Sequence, residues 1–175
     1  MSSLYDRFLA HVPSAGSILD AGCGIGRDAG AFADRGFKVV GFDASPEMVR
    51  LARGRAGAQV EIHLMRFEDV AWKDAFDGIL ACASLLHVTA ADFPSVATRL
   101  ACALRGGGAM YMSFKLGAGE RMAGGRRFTD HTAETLGVAL RGTGLVLVEA
   151  WITADVRIGR DGERWLNAIV TKPET

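Results

Sequence analysis

Apolar positions recur along this chain in two alternating rhythms. Short buried-type runs stand at 17–20, 37–42, 79–82 and 109–114, and 59–65 alternates apolar with polar residues. Between them lie stretches of helical character, at 26–35, 45 onward, 89–104 and 132–141. The stretch from Thr89 to Leu104 is the clearest: Phe93, Val96, Ala97, Leu100, Ala101 and Leu104 make one apolar stripe. A short amphipathic helix is expected at 4–12, packing on the sheet edge. Two last strands, 145–153 and 165–171, have no helix between them, only a charged turn at 157–164. The alternation predicts an α/β, doubly wound, seven-stranded parallel sheet with helices on both faces. The final hairpin makes its last strand antiparallel.

Helix punctuation supports these limits. Ser45 precedes Pro46, a cap followed by a first-turn proline. Gly36 is placed to end the helix that starts near Gly26. Thr89 with Asp92 has the spacing of a capping box. At 175 residues, with no linker, repeat or low-complexity segment, the chain reads as a single domain spanning 1–175.

In such folds the ligand crevice lies at the carboxyl ends of the strands, where strand order reverses. The chemistry-bearing residues of this chain fall there. The first strand runs into Ile18-Leu19-Asp20-Ala21-Gly22-Cys23-Gly24-Ile25-Gly26-Arg27-Asp28, a glycine turn opening a helix. Glycine permits a sharp turn and close backbone approach, and N–H groups at a helix start favour a ligand there. The spacing departs from the dinucleotide fingerprint, because Arg27 stands where its third glycine belongs. Asp20 at the strand tip suits a ligand with a cationic amino-acid end rather than a pyrophosphate.

These residues resemble motif I of the class I methyltransferases that use S-adenosylmethionine. The similarity extends to Val39-Val40-Gly41-Phe42-Asp43-Ala44-Ser45-Pro46-Glu47-Met48, to Phe76-Asp77-Gly78-Ile79-Leu80-Ala81-Cys82-Ala83-Ser84-Leu85-Leu86-His87, and to the turn Leu104-Arg105-Gly106-Gly107-Gly108. It covers roughly 17–175, and within the class it is nearest to small bacterial tellurite-resistance-type and small-molecule enzymes. The resemblance implies a Rossmann-like fold. It also implies a reaction, transfer of a methyl group from S-adenosylmethionine to a small-molecule nucleophile by in-line displacement, with S-adenosylhomocysteine as product.

The same resemblance distributes roles. Asp20 orients the methionine amino group. Gly22, Cys23 and Gly24 present backbone to the cofactor. Asp43, followed by Ala44, accepts the ribose hydroxyls; its alternative role is a charge at a helix start. Arg27 pairs with the methionine carboxylate or is solvated. Met48 and Phe67 wall the adenine, and Glu68 or Asp69 meets its amine. Relatives carry Gly-Asp where Met65-Arg66 stands here. Cys82 and Ala83 lead from the fourth strand to His87, which is either a general base or a histidine that hydrogen-bonds its own loop. A glycine-rich basic loop, 115–127, with Lys115, Arg121, Arg126 and Arg127, would attract an anionic substrate and move as a lid.

Composition narrows the alternatives. Formal net charge is zero, which gives no bias toward nucleic acid or a membrane surface. No Asn-Pro-Pro-Tyr-like sequence follows the fourth strand, as base-flipping enzymes would want. The three cysteines have neither disulfide nor metal-ligand spacing, which points to a reducing cytoplasm and no metal. No apolar stretch is long enough to span a bilayer. An NAD(P)-dependent oxidoreductase fits the fold but not Asp20 and Arg27. A non-catalytic cofactor-binding subunit would keep the same motifs. The short segment ahead of the first strand implies an open site, or one completed by a second subunit in a homodimer.

Overall fold

A computed structural model describes residues 2–155 and 162–174; of the expected charged turn, 157–161 lie outside them. The elements follow in order as α1 (Ser2–Leu9), β1 (Ser17–Ala21), α2 (Arg27–Ala33), β2 (Lys38–Asp43), α3 (Pro46–Arg55), β3 (Glu61–Leu64), β4 (Phe76–Ala81), α4 (Phe93–Ala103), β5 (Leu104–Lys115), β6 (Gly119–Ala123), β7 (Arg126–Asp130), α5 (Ala133–Ala139), β8 (Val146–Ala154) and β9 (Arg164–Thr171). Seven strands form one sheet in the order β3-β2-β1-β4-β5-β9-β8. The first five pair in parallel, and β9 runs antiparallel to both neighbours, β5 and β8. Strand order reverses between β1 and β4, so Asp20, Asp43 and Cys82 meet at one rim of the sheet.

Each face of the sheet is buried under helices. On one face α4 and α5 bring Phe93, Val96, Leu100 and Leu136 onto Met110, Met112 and Phe114. On the other, α1, α2 and α3 bring Tyr5, Phe8, Phe32, Val49 and Ala52 onto Ile18, Leu80 and Tyr111. Burying a side chain such as Phe32 or Phe93 contributes roughly 1.5–3 kcal/mol, so both layers are held chiefly by apolar burial.

Helix ends carry local caps, and Ser45 with Pro46 acts as read. Ser45 Oγ accepts the Met48 N–H at 3.4 Å and Pro46 opens α3. Thr132 and Thr135 cap α5 reciprocally. Two glycines serve close approach. Gly26 (φ 75°) would place a Cβ 3.1 Å from the backbone of Ala52, so it brings α2 and α3 together. Gly22 (φ 78°) would place one 2.5 Å from Ser84 Cβ.

The structure corrects three expectations. The segment read as a mobile basic loop is a β-hairpin, β6 with β7. Its turn residues Gly124 and Gly125 both have positive φ, 55° and 74°, as a two-residue hairpin turn demands. The N-terminal helix packs on a sheet face rather than an edge, with Phe8 and Val12 pressed against Gly78. Thr89 and Asp92 do bond reciprocally, at 2.6 and 3.0 Å, but they close a turn ahead of α4, whose first turn carries Pro94.

Candidate active site

A cleft of about 750 Å³ opens at the carboxyl ends of β1, β2 and β4. The residues given cofactor roles above line it, from Asp20 near the end of β1 to Ala83, and so does His87 after β4; Asp69 does not. The glycine turn has a rigid reason for its shape. Gly22 and Cys23 both donate their N–H groups to the Phe42 carbonyl, at 2.9 and 2.8 Å. Gly24 donates to Asp43 Oδ2 at 2.9 Å, and Gly26 to the Cys23 carbonyl. These four N–H groups are thus taken up within the protein, which holds the turn in its shape.

Asp20 is 2% exposed, and among the described residues its Oδ2 has no hydrogen-bond partner. Burial pushes its carboxyl up to about 8, and the nearby Asp28 carboxylate adds to the rise. Asp28 lines the same cleft and is itself heavily engaged. Arg27 holds it through a fork, Nε to Oδ1 at 2.7 Å and Nη2 to Oδ2 at 3.1 Å. The Tyr5 hydroxyl donates to Oδ1 at 2.6 Å. Arg27 thus faces its neighbour in sequence. Its guanidinium stays half exposed beside the cleft.

Asp43 joins two elements. Oδ1 accepts the Ser45 N–H and Oδ2 the Gly24 N–H, both at 2.9 Å, so it ties the glycine turn to the start of α3. Farther along, Met48, Phe67 and Glu68 line the cleft with Phe42 and Met65. Asp69 is occupied elsewhere: its Oδ2 accepts the Arg66 N–H and closes the 3₁₀ turn Phe67–Asp69. Glu68 is the acid left facing the cleft. The Cys23 and Cys82 thiols are pushed up to about 12, chiefly by burial, and are inert as nucleophiles.

The loop after β4 is held in an unusual shape. Ala83 has φ 53°, a left-handed conformation rare for alanine, and its N–H donates to Ser113 Oγ at 2.9 Å. Ser84 Oγ donates to the Ala21 carbonyl at 2.7 Å. His87 Nδ1 lies 2.8 Å from the Arg127 carbonyl. A carbonyl only accepts, so Nδ1 carries the proton and the neutral ring keeps its lone pair on Nε2. Beyond this loop, a second cavity of about 700 Å³ lies under the hairpin and the start of β9. Ala83, His87 and Arg126 line both cavities.

The expected basic cluster is largely neutralised. Lys115 is buried and paired with Asp155 (2.9 Å) and Glu163, and its ammonium sits 3.9 Å from the Trp165 ring centre. Arg121 pairs with Asp130, and Arg127 with Glu120 at 3.5 Å. Sequence reasoning missed Tyr5, Asp28 and Ser113. An acid in the first turn of α2 was a visible signal for Asp28. Ser113 sits inside a strand pattern, and nothing in sequence connects it with Ala83. Among the described residues, no group of three His, Cys, Asp or Glu side chains is placed to hold a metal, and no helix is long and apolar enough to cross a membrane.

A reversed strand order, an acid ending β1, a glycine turn and a second acid ending β2 define the class I S-adenosylmethionine-dependent methyltransferases. The family described as "Methyltransferase domain" matches residues 18–108, and the chain belongs to it. Among relatives, the ubiquinone biosynthesis O-methyltransferase of Xanthomonas axonopodis pv. citri is 32% identical over 106 residues, 58% of this chain and 44% of that one. The magnesium-protoporphyrin O-methyltransferase of Rhodobacter capsulatus is 34% identical over 87 residues, 47% of this chain and 38% of its own. The chain thus spans less than half the length of these curated relatives. In fold it is similar to the Burkholderia thailandensis 1,6-didemethyltoxoflavin-N1-methyltransferase, solved with 1,6-didemethyltoxoflavin and S-adenosylhomocysteine. That match has a TM-score of 0.82 at 24% identity and covers 98% of this chain and 77% of the other. A Methanosarcina mazei S-adenosylmethionine-dependent methyltransferase gives 0.84 at 16%, covering 98% and 99%.

Proposed function

We propose that this chain transfers a methyl group from S-adenosylmethionine to a small-molecule nucleophile. The observation that carries the reading is the meeting of two cavities at Ala83, His87 and Arg126. One cavity holds the cofactor-type residues. The other is of a size suited to a small organic acceptor.

The residues of the first cavity fit the cofactor. The partnerless Oδ2 of Asp20 suits an ammonium group. A Cβ at Gly24 would enter open space beside the cleft, so this glycine keeps room for a ligand. Asp43 accepts one backbone N–H on each oxygen and retains lone pairs for hydroxyl donors. Phe67 and Met48 supply apolar walls and Glu68 an acceptor at the far end.

When bound, S-adenosylmethionine supplies an electrophilic methyl group, whose bond to the acceptor forms as the carbon–sulfur electron pair returns to sulfur. The protein contributes position. Holding acceptor and methyl in line removes entropy from the barrier, about 7–11 kcal/mol at best. The left-handed Ala83, fixed by Ser113, shapes the gap between the cavities. His87 Nε2 takes the acceptor's proton where it carries one.

The test is calorimetry with S-adenosylmethionine, S-adenosylhomocysteine, NAD and NADP, followed by a methyl-transfer screen over thiols, amines, phenols and oxyanions. Binding of the first two alone, with transfer to at least one acceptor, is expected. Nicotinamide binding without sulfonium binding overturns the reading. Sulfonium binding with no transfer to any acceptor leaves a cofactor-binding subunit instead.

A further inference from the structure

The second cavity has walls of two kinds. Leu86, Leu116, Phe128 and Trp165 give it apolar and aromatic surface. Its cations are unequal. Lys115 and Arg121 are matched by carboxylates, and Arg127 just outside is held by Glu120. Arg126 and Arg164 are different: among the described residues neither has a carboxylate within ion-pair distance, and of the two only Arg126 stands where the two cavities join. His87 stands at the same junction with Nε2 bare, its ring 4.9 Å from that of Phe128.

We propose that the second cavity selects a small aromatic hydroxy compound bearing an anionic group. This rests on the reading of the chain as a methyltransferase and names the acceptor class of that site. The ring lies on the apolar walls, the hydroxyl meets His87 Nε2, and the anionic group pairs with Arg126. Three arguments converge. A guanidinium without a carboxylate beside it recruits a planar anion through paired hydrogen bonds. Aromatic walls favour an aromatic ring. A phenolic hydroxyl ionises near the tyrosine value of about 10, within reach of a neutral imidazole, whereas an aliphatic alcohol holds its proton far more tightly. In the reaction the hydroxyl O–H bond breaks, its proton passes to Nε2, and the oxygen bonds the methyl carbon. The departing sulfur keeps the electron pair and becomes a neutral thioether.

The experiment compares hydroxybenzoate, hydroxybenzamide and aminomethylphenol, each as 3- and 4-isomers. Calorimetry with S-adenosylhomocysteine present gives binding, and labelled methyl transfer gives kcat/KM. The acid should bind about tenfold more tightly than the amide, the size of one charge-assisted hydrogen-bond pair, with the amine weakest. In Arg126→Gln the acid-to-amide ratio should fall to about one, and Arg126→Lys should restore part of it. Arg126, the first residue of β7, is exposed, and a melting curve confirms folding of each variant. An amide or amine that equals the acid overturns the proposal. So does a ratio that survives in Arg126→Gln, a variant that loses cofactor affinity alone, or failure of every compound to bind at millimolar concentration. In those cases S-adenosylhomocysteine still binds and the methyltransferase reading stands; if it does not bind, both fall.

Discussion

His87 donates its Nδ1 proton to the Arg127 carbonyl, 2.8 Å away and 40 residues along the chain. One strand of the hairpin thereby sets the tautomer of a side chain in the loop after β4. Two further bonds fasten the same elements: Thr129 Oγ1 donates to the Val88 carbonyl at 2.7 Å, and the Ala90 N–H donates to Glu120 Oε1 at 2.6 Å. The hairpin is a clamp on the loop as well as a wall of the second cavity.

This contact yields a prediction on turnover. With an acceptor that carries a proton, His87→Ala should lower kcat by about 10²–10⁴-fold and leave S-adenosylhomocysteine affinity intact. With a thiolate or oxyanion acceptor the same substitution should change kcat little. Equal losses with both kinds of acceptor would return His87 to a purely structural role.

Much of this architecture is legible in the sequence because each strand is a buried run and each helix start carries a local device. Ser45 and Pro46 act within four residues, so their effect is readable without the fold. The site acids are legible too, since Asp20 and Asp43 end strands. What escaped reading depends on distant contacts. Lys115 reads as a loop cation, but its partner Asp155 lies 40 residues away and only the β5–β9 and β9–β8 pairings together bring them into contact. Gly124 and Gly125 read as flexibility, whereas their positive φ values serve a tight turn. Arg27 reads as facing either a ligand or solvent, and nothing in the pattern shows that its adjacent acid, locked by Tyr5, also engages it.

Gly22 and Gly24 should respond differently to alanine. Both have positive φ, and left-handed alanine costs about 1–2 kcal/mol. At Gly22 the new methyl also strikes Ser84 Cβ at 2.5 Å, so Gly22→Ala should destabilise the ligand-free protein well beyond that strain. At Gly24 the methyl meets nothing within 4 Å. Gly24→Ala should therefore lose only about that 1–2 kcal/mol of strain in stability while losing cofactor affinity. Denaturant melts paired with calorimetry separate the two, and a Gly24→Ala protein that binds normally would remove this glycine from the cofactor site.

Asp43 combines a structural and a proposed binding role, and its substitutions can part them. Asp43→Ala should weaken cofactor binding by roughly 1.5–3 kcal/mol, the range for hydrogen bonds to a charged group. Asp43→Asn should do little better. Its amide nitrogen would face the N–H of either Gly24 or Ser45, donor against donor. Calorimetry on both variants checks this, and a folded Asp43→Asn with wild-type affinity contradicts it.

The last prediction concerns pH and rests on Asp20. Its carboxyl is raised from the ordinary aspartate value of 3.8 to about 8 in the ligand-free fold, by burial first and by Asp28 next. Between those values the folded chain keeps a proton that the unfolded chain has lost. Stability of the ligand-free protein should then fall as pH rises from about 4 to 8, by up to about 1.4 kcal/mol per unit, and level off above. Asp20→Asn keeps the shape without the proton, so it should flatten this slope in denaturant melts taken across that range. Cofactor binding should show the opposite trend. An ammonium pairs with the carboxylate, so affinity should rise with pH toward 8, by at most about tenfold per unit. A melt profile for Asp20→Asn with the wild-type slope would show that another group carries the titration. A cofactor affinity flat from about pH 6 to 8 would show that the amino group is met elsewhere than at Asp20.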